Sequence, residues 1–184
     1  MPMAEFVAKF PYAFASPLQK CPKLTFAYPA LAEHFPRARF ALIARNPYET
    51  IRSFLFRRGL PGDAARIERP LALLPEKQEG HYIDRLAHRW NLAVRVALDN
   101  PSSVSKIRYE DFREDKIGEI VRLADRLGLA APHDITPWLD IDYKPRSHTG
   151  TTVEQFFGPE NFARIGAICG ENMVRMGYPS RAIS

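Results

Sequence analysis

Five consecutive apolar residues, Phe40-Ala41-Leu42-Ile43-Ala44, stand between Arg39 and Arg45. An unbroken apolar run of this length predicts a strand covered on both faces. Asn46 follows as a good helix N-cap, and Pro47 fits the first helical position because its missing N–H needs no partner there. Glu49 suits the positive end of the helix dipole. Residues 39–54 thus read as strand, tight turn and helix. Elsewhere the apolar period lengthens. Tyr28, Leu31 and Phe35 recur at three- and four-residue steps, the mark of a short amphipathic helix. Ile83, Leu86, Trp90, Ala93, Val94 and Ala97 make one face of a long helix over residues 82–98, with Trp90 in the core and Asn100-Pro101 as the stop. Residues 104–109 predict a second strand, and Glu110-Asp111 a helix-entry turn. Ile117, Ile120, Val121, Ala124 and Leu127 form the clearest helical stripe, with Gly128 as its C-terminal stop. A last helix is expected to begin near Pro159-Glu160, carrying Phe162, Ile165, Ile168, Cys169, Met173 and Met176, and to end at Gly177-Tyr178-Pro179.

The intervals between these elements are punctuated by proline and glycine. Residues 59–80 read as a loop, and residues 142–150 as a basic, polar loop closing on Gly150. Residues 1–19 place Phe6, Phe10, Tyr12 and Phe14 among small residues and prolines, and read as an N-terminal arm. Residues 20–24 are expected at the end of a short strand.

Length and composition narrow the class. A chain of 184 residues is one domain with room for a proper core. Its 46% apolar and 26% charged content is that of a soluble globular protein. No stretch approaches the ~20 apolar residues of a membrane span. Residues 1–19 lack a charged start followed by a long apolar core, so no secretory signal is expected. Cys21 and Cys169 are too few for a disulfide framework or a metal cluster. Both read as buried thiols in a reducing compartment, which points to a cytoplasmic protein without a metal site. The net charge of +5 favours anionic ligands such as nucleotides, sulfated sugars or phosphates. Lys and Arg are scattered without a basic stripe and interleaved aromatics, which argues against nucleic acid.

The candidate chemistry sits at the first strand. Arg45 projects from its carboxyl end, where open α/β sheets place their ligands. Ser53 lies eight residues on, roughly two helical turns into the helix. The pair grips one anion if the ligand lies along the helix, the guanidinium giving charge and paired donors and the hydroxyl one donor more. The plain alternative is an arginine that ends a strand and a serine on a solvated helix face.

Arg45-Asn46-Pro47, a short acidic spacer and Ser53 together resemble the 3′-phosphate-binding element of sulfotransferases that use 3′-phosphoadenylyl sulfate (PAPS). The order Lys20-Cys21-Pro22, a leucine-bearing helix, Phe35-Pro36-Arg37-Ala38-Arg39, apolar strand and Arg-Asn-Pro resembles the bacterial branch of that family. Arg108-Tyr109-Glu110-Asp111-Phe112 and Met176-Gly177-Tyr178 extend the likeness over most of the chain. The resemblance implies an α/β fold of the P-loop nucleotide type, a mostly parallel sheet flanked by helices. It implies PAPS as donor, adenosine 3′,5′-bisphosphate (PAP) as product, and a hydroxyl or amine acceptor that the sequence does not identify. Arg45 and Ser53 would hold the 3′-phosphate and Tyr109 the adenine. Arg146, with Ser147 and Gly150, would close the site. Lys20 would neutralise charge near the transferring sulfuryl group.

The sequence also departs from the family pattern. Residues 1–44 contain no loop of the Pro-Lys/Arg-Ser-Gly-Thr-Thr type, which in the family cradles the 5′-phosphosulfate, and no glycine precedes Gly59. The first strand–loop–helix unit is therefore expected to be missing, and residues 1–184 to form one domain, whole or partial. Pro22 stands where some members carry a histidine base, and Thr151-Thr152-Val153 where an aromatic is usual. His34, His81, His88, His148 and Glu33 suggest no general base. Two functions stay open: sulfuryl transfer from PAPS if the domain is complete, or a non-catalytic PAP- or nucleotide-binding or assembly module. A third reading is an unrelated nucleotide-binding α/β protein, which would show no preference for a 3′-phosphate.

Overall fold

A computed structural model describes residues 2–64, 80–130, 134–139 and 150–179. Helices α1 (Met3–Lys9), α2 (Pro11–Phe14) and α3 (Tyr28–His34) precede strand β1 (Phe40–Ala44) and helix α4 (Pro47–Phe56). Helix α5 (Tyr82–Leu98) leads to strand β2 (Val104–Arg108), then α6 (Tyr109–Glu114), α7 (Lys116–Leu127) and α8 (Val153–Arg175). Strands β1 and β2 pair in parallel, from Phe40 opposite Val104 to Ala44 opposite Arg108. The architecture is mixed α/β, consistent with a P-loop-like fold, and among the described residues the sheet has two strands.

Capping follows the local chemistry. Asn46 Oδ1 accepts from the Tyr48 N–H at 3.0 Å, so Pro47 opens α4 on a satisfied turn. Gly128 ends α7 at φ +61°, a left-handed conformation that costs glycine little. The main core is formed where α4, α5 and α8 meet: Tyr48, Ile51 and Leu55 pack with Ile83, Leu86, Trp90 and Val94, and with Phe157, Ile165, Cys169 and Met173. A second cluster of Tyr28, Ala97 and Val104 takes in Phe40 and Leu42 from one face of β1.

Several expectations are corrected. Strand β1 is covered on one face only: Ala41 is exposed and Ile43 is 57% exposed, because α5 and α3 pack against the face carrying Phe40, Leu42 and Ala44. Residues 20–24 form no strand. Pro22 opens a 3₁₀ helix over Pro22–Ala27, a first-turn position that suits its fixed φ. Cys21 is exposed rather than buried, whereas Cys169 is buried in the main core. The last helix begins at Val153, earlier than expected, on a capping box in which Thr152 and Gln155 exchange side-chain and backbone bonds. Gly158, at φ +67°, breaks it, and Pro159 then starts the second stretch at a position the sequence had marked. The arm at residues 1–19 is helical in α1 and α2, and Phe14 stacks on Phe35 with ring centres 5.8 Å apart. The α7 stripe is present but half-covered, with Ile117 and Val121 exposed. Among the described residues, no helix is long and apolar enough to cross a membrane, and no group of His, Cys, Asp and Glu could hold a metal ion.

Candidate functional site

Strand β1 ends at Ala44, and the chain turns through Arg45 and Asn46 into α4. Two other elements, α5 and α6, grip the backbone of that turn, together with Thr50 of α4 itself. Trp90 of α5 donates its indole N–H to the Arg45 carbonyl at 2.9 Å, and Thr50 Oγ1 donates to the same oxygen at 3.1 Å. Glu110, in the first turn of α6, accepts the Asn46 N–H on Oε1 at 2.9 Å. The Tyr178 hydroxyl, beyond the end of α8, donates to Glu110 Oε2 at 3.0 Å. Burial, and then the Glu110 carboxylate, push the Tyr178 pKa well above the ordinary phenol range, so this hydroxyl keeps its proton.

The Arg45 side chain faces outward from this frame. Its guanidinium lies over the Tyr109 ring, 5.2 Å from the centre, and donates to Glu49 Oε2 at 2.8 Å. Glu49 is shared: its Oε1 accepts from Arg52 Nη2 at 2.6 Å. Arg52 is buried and donates from Nη1 to the Thr151 carbonyl at 2.8 Å. That bond ties the segment after Gly150 to α4, across 99 positions of sequence. The Arg52 Nε–H is buried without a hydrogen-bond partner among the described residues. Two guanidiniums thus share one carboxylate. The cluster keeps a positive charge, and the Arg45 side chain remains 35% exposed. Ser53 is half-buried on α4, four residues after Glu49 and so on the same side of the helix.

Arg108, at the end of β2, is committed elsewhere. It binds Asp111 and the Gly177 carbonyl, and lies over the Tyr178 ring at 5.5 Å. Its hydrogen bond to Asp111 raises the arginine pKa and lowers that of the carboxyl.

Of the residues singled out from sequence, Arg45 and Tyr109 are in contact, and Ser53 rides on the same helix as Glu49 and Arg52. Gly150, at φ +107°, is exposed and adjoins Thr151. Arg146 and Ser147 lie outside the described residues, as does His148. Lys20 is exposed ahead of the 3₁₀ helix, and among the described residues no hydrogen bond or ion pair joins it to the Arg45 cluster. His81 is spent as the N-cap of α5, accepting from the Ile83 N–H on Nδ1. Sequence reasoning overlooked Arg52, and gave Trp90 a core role and Glu110 a turn role alone. The spacing of Arg45, Glu49 and Arg52, at steps of four and three, was the available signal for the ionic cluster.

A family model described as "Sulfotransferase family" matches residues 3–133, more than half of the chain. The matched stretch includes β1, α4, α5, β2, α6 and α7, and therefore the Arg45 turn. No curated protein and no solved structure matches the chain.

Proposed function

The chain belongs to the sulfotransferase family, and on that premise we propose that it binds PAPS, with the 3′-phosphate held at the Arg45 turn. The supporting observation is the Arg45 guanidinium at the carboxyl end of β1, partly open to solvent and laid on the Tyr109 ring. Its remaining donors suit a phosphate dianion, which a planar guanidinium binds through paired N–H groups. Ser53 adds a hydroxyl donor further along α4. Tyr109 offers a flat apolar ring to the adenine. The unpaired, buried Arg52 Nε–H fits a site that gains a polar ligand. Arg146, Ser147 and Gly150 take the closing role that the resemblance implies, and the Arg52–Thr151 bond holds the end of that loop beside α4.

When bound, PAPS supplies the sulfuryl group for a hydroxyl or amine acceptor, and PAP is left. This chain's part is to hold and orient the nucleotide, with Lys20 placing positive charge near the bridging oxygen. A cytoplasmic setting goes with the same reading and rests on two unpaired thiols, one of them exposed. A second reading, a module that binds PAP without transferring sulfuryl groups, draws on the residues before β1. Those described are helices α1, α2, the 3₁₀ helix and α3, with no glycine among them to shape a phosphate cradle.

Calorimetric titration with PAP tests the site. Arg45→Ala is expected to weaken binding by at least about thirtyfold, the ~2 kcal/mol floor for truncating one partner of a hydrogen-bonded charge pair. Unchanged affinity would remove Arg45 from the site.

A further inference from the structure

We propose that Glu110 is a positioning residue for the anion grip, holding the Arg45-Asn46 turn by its backbone, with Tyr178 as the group that orients it. This role rests on the reading of Arg45 as the 3′-phosphate ligand.

The placement follows from the sheet. The last paired residues are Ala44 and Arg108. Continuing that register past the end of the ladder sets Arg45 beside Tyr109 and Asn46 beside Glu110, and both pairs are in contact. The ladder ends at Ala44, and the early N–H groups of a helix have no partner within it. The Asn46 N–H therefore needs an acceptor from outside, and Glu110 supplies it. Both carboxylate oxygens are occupied, one by this N–H and one by the Tyr178 hydroxyl. Arg108 does not draw Glu110 away, because it is bonded to Asp111. Both Glu110 oxygens are thus engaged with the protein, and its effect on a ligand passes through the turn. Trp90 fixes the carbonyl of the same peptide group, the one that joins Arg45 to Asn46. The two contacts set the direction in which the Arg45 side chain leaves the strand.

Three variants test this. Glu110→Ala leaves the Asn46 N–H without its acceptor and is expected to weaken PAP binding about tenfold or more, with AMP binding little changed. Glu110→Gln keeps an amide oxygen for that N–H and is expected to restore affinity to within about threefold. Tyr178→Phe frees one carboxylate oxygen and is expected to cost severalfold in PAP affinity. Amide exchange at Asn46, followed by NMR without ligand, should speed up in Glu110→Ala and return toward the original rate in Glu110→Gln. PAP affinity unaltered in Glu110→Ala, or in Tyr178→Phe should the alanine variant not fold, overturns the role. Slow Asn46 exchange in Glu110→Ala overturns it as well. If the unaltered chain does not prefer PAP to AMP, the anion-grip reading itself fails. The exchange rates then still report whether Glu110 holds the turn.

Discussion

Arg52 has an ordinary surface sequence, Ile51-Arg52-Ser53, yet is the only charged side chain buried among the described residues. Burying a guanidinium is costly unless it is paired, and Glu49 and the Thr151 carbonyl pair it. Arg52→Ala removes both bonds and the tie between α4 and the residues after Gly150. It should lower stability by about 2–3 kcal/mol, a shift readily seen in a urea denaturation midpoint. Arg52→Lys should not recover it, because an ammonium cannot reproduce the fork that reaches two acceptors at once. An unchanged midpoint in the alanine variant would show that the buried pair contributes nothing. The Arg45, Glu49 and Arg52 spacing was legible across the turn and the first turns of α4. The Thr151 partner was not, since nothing local links residues so far apart in the chain.

The same limit shows at the scale of elements. The apolar run at residues 40–44 correctly marks a strand, but it cannot say how many of its faces find a neighbour. Ile43 is half open because coverage is decided by packing, not by hydrophobicity. Helix boundaries were easier to read, because a glycine at φ +61° that stops α7 and the Asn46-Pro47 pair that starts α4 act within a few residues. Pro159 gave the start of the second stretch of α8 but hid the turns before it, where Thr152 makes the cap. Thr152→Ala should cost about 1 kcal/mol in stability, the usual worth of an N-cap hydroxyl. Thermal unfolding of the two proteins measures it, and equal midpoints would mean that the first stretch of α8 carries no load of its own.

Across the whole molecule, the core and the candidate site share their elements. Helices α5 and α8 build the core with α4, and the same packing carries Trp90 and Tyr178 to the Arg45 turn. The core also sets a pH dependence. Burial raises the Cys169 thiol from 9.0 to about 12, and burial with the nearby Asp63 charge raises Tyr82 from 10.0 to about 12. Tyr178 is raised for the reasons already given. Groups whose pKa is raised on folding contribute stability that is complete below their unfolded values and lost as pH climbs toward the folded ones. Stability should therefore fall between about pH 9 and pH 12. Tyr82→Phe loses the hydroxyl whose single proton is held among the carbonyls of Pro61, Gly62 and Ala64, and should be less stable at neutral pH but flatter above pH 10. Denaturant midpoints across that range decide it, and an equally steep decline in the variant would contradict the assignment. Family and fold class were legible at this scale because short motifs at strand ends carry them. The frame around Arg45 was not, because it joins four segments by contacts that no local pattern encodes.

The most direct test of the account is a calorimetric titration of the chain with PAP and, separately, with AMP. Both carry the adenine and the 5′-phosphate, and they differ in the 3′-phosphate assigned to Arg45. The account predicts that PAP binds at least about thirtyfold more tightly, as expected for a charge-assisted, paired contact, and that Arg45→Ala erases the difference. Equal affinity for the two nucleotides, or binding of neither, would contradict it.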